Sequence, residues 1–126
     1  MEVSARRFAI LYAQDDSIVH ANHYLDPGMQ AIEYDSDELI STRIRYFRAL
    51  RLLRRNTQHT VKSLQAILRD HVNYPDSICN HADLNTDPLD REKTINSLVI
   101  DLTARVMHLA WGNPCENLYH TFHLEG

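Results

Sequence analysis

Glycine is scarce in this sequence: Gly28, Gly112 and Gly126 are the only three in 126 residues, about a third of the usual share. The deficit argues against glycine-rich loops that cradle phosphates, and neither a GxGxxG nor a P-loop string occurs. No cofactor is expected. Cysteine is rarer still. Cys79 and Cys115 are too few for a disulfide scaffold, and they read as free thiols of a reducing compartment, with a single bridge left open. Long apolar runs are missing as well. No stretch nears the ~20 apolar residues that span a bilayer, and MEVSARRFAI lacks a signal-peptide pattern. A soluble, cytoplasmic protein that does not engage a membrane is expected. The net charge is −4, so nucleic acid is not an expected partner.

What is present is ordinary in amount. Apolar residues make up 44% and charged residues 24% of a 14.7 kDa chain, near the globular average. One domain over residues 1–126 is expected, long enough for a single core. The charges, however, are unevenly placed: eight basic residues and no acid lie between Leu39 and Arg69, and all seventeen acids lie elsewhere.

Hydrophobic periodicity gives the coarse architecture. Residues 8–13 alternate with period two, QDDS at 14–17 is turn chemistry, and Ile18–Tyr24 resumes the alternation, which predicts a β-hairpin. LDPG at 25–28 breaks the pattern, and a looser stretch follows to Tyr34. DSDE at 35–38 then offers cap residues and negative charge to a helix over about 36–55. Its apolar stripe is Leu39, Ile40, Ile44, Phe47, Leu50 and Leu53. Thr60 caps a second expected helix, whose stripe is Val61, Leu64, Ile67 and Leu68 and which ends at Asn73-Tyr74-Pro75. Residues 82–95 read as a surface loop. Three alternating segments follow, around 98–102, 106–111 and 118–124. The order ββ–αα–(short β)–βββ predicts an α+β fold, an antiparallel sheet covered by two helices.

Four features could carry chemistry. The pairs His20/His23 and His120/His123 have HxxH spacing, but both fall in expected strands, where i and i+3 point to opposite faces. Without CxxC or HExxH strings, no metal site is expected and the histidines read as structural or surface residues, with a metal-binding domain on these four histidines trailing as a third reading. Arg43, Arg45, Arg48, Arg51, Arg54 and Arg55 surround the long helix on several sides. They read as a solvated face pairing with acids elsewhere, while a phosphate, a carboxylate or another subunit stays open as their partner. Cys79 has His81 two residues on, on the same side of a strand, and Cys115 precedes Glu116; neither matches a nucleophile signature. Asn22 is a neutral N–H donor of the kind that stabilises an oxyanion in acyl transfer.

Several strings occur in a telling order: VHANHYLDP (19–27), Ser41–Arg43, ILRDH (67–71), PDSICNH (75–81) and INSLVIDLTARVMHLAWGNPCENLY (95–119). Over roughly 18–120 the series resembles the C-terminal part of the acyl-coenzyme A:6-aminopenicillanic-acid acyltransferase family, autoproteolytic N-terminal-nucleophile (Ntn) hydrolases related to choloylglycine hydrolases. SIC-x-H and GNPCE are its most specific strings. The resemblance implies an αββα sandwich of two antiparallel sheets. It also implies a nucleophilic Cys freed by self-cleavage, whose α-amino group serves as base. Asn22 matches the oxyanion Asn. Asn80 stands where relatives tend to carry an Arg, in SICRH. The nucleophile of the family lies upstream of the HANH-type segment, and neither Cys79 nor Cys115 has similar surroundings.

The expected function is therefore that of the C-terminal portion of an acyltransferase or C–N hydrolase acting on a small acyl-amide, acyl-coenzyme A or peptide, inactive alone. The alternative is a non-catalytic, self-associating interaction module that uses the arginine-rich helix. Half a sandwich exposes an apolar sheet face of about several hundred Å², which soluble proteins seldom leave bare. The expected partners are thus the missing N-terminal portion or a second copy, as a homodimer.

Overall fold

In the computed structural model, which describes residues 1–34, 36 and 38–124, the chain divides after Leu50 into two units. In the first, β1 (Glu2–Val3) and β2 (Phe8–Ala9) pair antiparallel. Ser4 shapes the turn between them: its hydroxyl accepts from the Arg6 and Arg7 amides at 3.4 and 3.1 Å, as short side chains do in turns.

The hairpin expected across QDDS keeps little more than its turn. Asp15 and Asp16 have φ of 51° and 59°, the left-handed pair of a tight hairpin turn, and Gln14 and Ser17 exchange backbone bonds of 3.0 and 3.1 Å. Residues 18–24 are nevertheless not a strand. Side chains hold the amides at the end of that stretch and just beyond it. Asn22 donates to Thr42 Oγ1 (2.6 Å), Tyr24 to Glu33 Oε1 (2.6 Å), and Leu25 and Asp26 to the two Glu2 carboxylate oxygens. Amides held by side chains are lost to a ladder.

The Asp26-Pro27 step, read above only as a break, starts a one-turn helix α1 (Pro27–Gln30). Asp26 Oδ1 accepts from the Gly28 and Met29 amides at 2.8 and 3.1 Å, and Pro27 opens the helix, a pairing typical of N-termini. α2 (Glu38–Leu53) matches the expected long helix within two residues at each end. Of its expected DSDE cap, Asp35 and Asp37 lie outside the described residues. Leu39 and Thr42 are buried, whereas Ile40, Ile44 and Phe47 of the expected stripe are exposed.

In the second unit α3 (Val61–Leu68) is capped by Thr60 as expected. Thr60 Oγ1 accepts from the Ser63 amide (3.2 Å) and Ser63 Oγ from the Thr60 amide (2.8 Å), a reciprocal capping box. The short strand expected between the helices and the final sheet is absent among the described residues. Instead the amides of Ser77 and His81 both reach back to the Pro75 carbonyl, at 2.9 and 3.0 Å, and curl the segment on itself.

β3 (Asn96–Asp101), β4 (Val106–Trp111) and β5 (His120–His123) form an antiparallel meander in that order, and α3 packs against β3. Leu98 faces Leu109, Ile100 faces Met107, and Met107 faces Phe122. Period two then sorts the sheet into two faces. Ser97, Val99 and Ala110 are buried on one. The other carries Leu98, Ile100, Trp111 and Phe122, exposed by 44, 52, 57 and 38%. Antiparallel sheets usually turn polar residues to water; this one turns an apolar face outward. The fold is mixed, with antiparallel sheets and, among the described residues, three helices. No helix among the described residues is long and apolar enough to cross a membrane.

Candidate functional site

Three loops of the second unit meet: the turn after α3, the curled segment 75–81, and the turn after β4. Their backbone explains why. The Cys79 amide donates to the Asp70 carbonyl (3.0 Å), Arg69 Nε to the Pro114 carbonyl (2.8 Å), and Asn113 Nδ2 to the Asn80 carbonyl (2.7 Å). The Arg69 guanidinium also sits over the Tyr119 ring, 5.2 Å from its centre. Gly112, at φ +80°, makes the turn after β4; a Cβ there would lie 3.1 Å from Asn117 Nδ2.

The loops bring His71, Cys79, His81 and Cys115 together, with their ligand atoms all within 4.8 Å of one another. His81 Nε2 is the hub, 3.0 Å from His71 Nε2, 3.3 Å from Cys115 Sγ and 3.7 Å from Cys79 Sγ. The two sulfurs are 3.5 Å apart. Cys79 is fully buried, His81 half-buried, and His71 and Cys115 exposed. Around them, Glu116 Oε1 lies 3.7 Å from His81 Nδ1, and Asn113 Nδ2 lies 3.5 Å from Cys79 Sγ. Loss of solvation pushes the Cys115 thiol up to about 11, aided by its hydrogen bond to Cys79 and by the charges of Cys79 and Glu116. An activated cysteine nucleophile needs the opposite shift.

Asn80, the residue matched to the Arg of relatives, borders this cluster. It is buried, its amide donates to Thr94 Oγ1 (3.0 Å), and its carbonyl accepts from the Thr94 amide (2.9 Å) as well as from Asn113. Its side-chain Oδ1 is buried and finds no donor among the described residues.

Asn22 belongs to the first unit. Its side chain is exposed, while its amide is fixed by Thr42. His23 beside it is buried, its Nδ1 3.2 Å from Thr42 Oγ1 and its ring edge-on to Tyr46. Burial, with Arg43 and His20, holds its pKa below the ordinary value against the opposing pull of Glu33 and Glu2. His20 Nε2 lies 2.9 Å from Glu2 Oε1. Burial on its own would raise the Glu2 carboxyl, but the Leu25 and Asp26 amides and His20 prevail and hold it below its ordinary value.

The clustering of ligand-type residues differs from the sequence pattern. His20 and His23 turn to Glu2 and Thr42, and the His120 ring packs against Trp111, 5.5 Å between centres. Arg43 approaches Glu33 at 3.8 Å, and Arg45 Nε is buried with no acceptor among the described residues. His71 was not singled out in the sequence as a candidate. The available signal was Cys79-x-His81, a spacing that puts two ligand types in one tight loop but matches no familiar metal motif.

Comparison with the curated proteins finds no match. The family model described as acyl-coenzyme A:6-aminopenicillanic acid acyl-transferase matches residues 1–116, a span that takes in Asn22, Asn80 and all four residues of the cluster. The chain belongs to that acyltransferase family.

Proposed function

We propose that this chain is the C-terminal portion of an Ntn-type acyltransferase or C–N amide hydrolase whose substrate is a small acyl-amide, an acyl-coenzyme A thioester or a peptide. The family match over residues 1–116 carries the reading. In the proposed mechanism the nucleophilic Cys comes from sequence upstream of the HANH segment. It attacks the acyl carbon, its own α-amino group takes the thiol proton, and charge develops on the carbonyl oxygen. The Asn22 carboxamide donates to that oxygen. A fixed neutral donor stabilises the transition state without reorganising as the charge forms.

Two observations support the division of labour. The complete burial of Cys79 and the raised pKa of Cys115 count against either as the nucleophile. The apolar sheet face with Leu98, Ile100, Trp111 and Phe122 is what the inner face of a two-sheet sandwich looks like when its partner sheet is not packed on it. On its own the chain is expected to pair through that face, as a dimer or larger species in light scattering; a monomer counts against the half-sandwich.

The activity test has two arms. The purified chain should not turn over acyl-amides or acyl-coenzyme A, and measurable turnover by it would overturn the assignment of the nucleophile to upstream sequence. Mixed with a family member's upstream segment that carries the nucleophile, it should gain turnover. Asn22→Ala should then lower kcat by about 10²–10³-fold with little change in KM; an unchanged kcat removes Asn22 from the oxyanion role.

A further inference from the structure

We propose that His71, Cys79, His81 and Cys115 form a structural zinc site that clamps the three loops of the second unit together. The proposal stands on the cluster geometry and does not depend on the acyl-transfer reading. A tetrahedral zinc ion with two thiolates and two imidazoles separates its ligand atoms by about 3.8 Å for S–S, about 3.6 Å for S–N and about 3.3 Å for N–N, from ordinary bond lengths. The cluster has 3.5 Å for its S–S pair, 3.3 and 3.7 Å for two S–N pairs and 3.0 Å for N–N. Each of these distances lies within about 0.3 Å of the tetrahedral value. The two remaining S–N pairs, His71 with Cys79 and with Cys115, lie within 4.8 Å, so all four donor atoms share one small space.

The donor set also selects the ion. Two soft sulfurs and two imidazoles in tetrahedral array favour zinc over the hard cations, which want carboxylate and carbonyl oxygen. Four protein ligands leave no open position, which makes the site structural rather than catalytic. The surroundings fit the same role. Glu116 faces His81 Nδ1 across the ring from the donor nitrogen, the place where metal-bound imidazoles keep a carboxylate. Asn113 turns an N–H toward Cys79 Sγ, as suits a thiolate. Binding sends both thiol protons to solvent, and the metal's charge replaces them.

The spacing His-x7-Cys-x-His-x33-Cys ties the end of α3 to the turns that flank the sheet. Zinc binding is therefore expected to add stability to the second unit as a whole.

The test uses the tag-free full chain, purified in reductant. Elemental analysis should find about one zinc per chain. The metal-free chain titrated with Co²⁺ should show thiolate-to-cobalt charge transfer and the strong visible bands of a tetrahedral ion. Because Cys79 is buried and its loss could unfold the chain, the informative variants are the exposed His71→Gln and Cys115→Ser. Each should weaken zinc binding by at least about 10-fold while the far-ultraviolet dichroism stays native. Two results overturn the site: no saturable binding of added Zn²⁺ by the reduced, folded chain, or an octahedral cobalt spectrum. A Cys79–Cys115 disulfide that resists reductant while the chain stays folded overturns it too.

Discussion

The two units answer the same demand, a partner for every buried amide, in opposite ways. In Met1–Leu50 the stretch around residues 22–26 gives its amides to side-chain oxygens of Thr42, Glu33 and Glu2. In Arg51–Gly126 three strands give theirs to one another, which leaves the loops to gather sulfur and imidazole. The first arrangement concentrates stability in a few polar residues, and one of them, Glu2, is a buried carboxylate. The second spreads stability along a ladder where no single side chain is indispensable to the backbone. One unit should be fragile to point changes and to acid, the other to the loss of packing.

The largest effect expected is that of Glu2→Ala. It strands the Leu25 and Asp26 amides and the His20 ring, and should cost about 3–5 kcal/mol. Amide exchange should report the loss over residues 22–30, and unchanged protection there would break the contrast at its first half. In the sheet the contrast is between faces. Val99→Ala, at a buried position, should cost about 2 kcal/mol. Ile100→Thr, on the open face and still β-branched, should cost under about 0.5 kcal/mol in urea denaturation. Equal costs would mean that the open face is covered. Thr60→Ala removes one half of the capping box and should cost about 1 kcal/mol, seen as a lower melting temperature.

The smallest effect expected is on pH dependence, and it falls on the first unit. The folded-state pKa of His23 lies below its ordinary 6.5, so as pH falls below that value the unfolded chain takes up a proton that the fold refuses. Stability is full above 6.5 and drains away below it. Glu2 adds a second loss under 4.5, where the unfolded carboxyl protonates before the folded one. His23→Gln should flatten the first step and keep the second, as read by exchange at residues 22–30 across a pH series.

Much of the fold could be read in advance where one physical signal dominates. Thr60 and the stripe after it marked α3, and the period-two segments of the last third marked β3, β4 and β5 within a few residues. The N-terminal hairpin misled because alternation of apolar residues says nothing about who takes the amides; Glu2, Glu33 and Thr42 are up to 24 residues from the groups they bind. The Asp26-Pro27 start of α1 was legible but was read only as a break. In the site, Cys79 and His81 were visible as neighbours. His71 and Cys115 join them only through the long-range bonds Cys79–Asp70, Asn113–Asn80 and Arg69–Pro114, which no local spacing encodes. The resemblance placed the chain in its family because ordered strings survive where individual positions are ambiguous.

Trp111 is the only tryptophan of the chain, and it stands on the open face of the sheet, 57% exposed and edge-on to Phe122. That position makes the protein its own optical sensor. A bare face leaves the indole in water, with red-shifted emission open to quenching by acrylamide. Whatever comes to lie on the sheet would shift the emission to the blue and shield it, without any change in the strands beneath. Fluorescence, usually a gauge of unfolding, would here count how many molecules have found a cover.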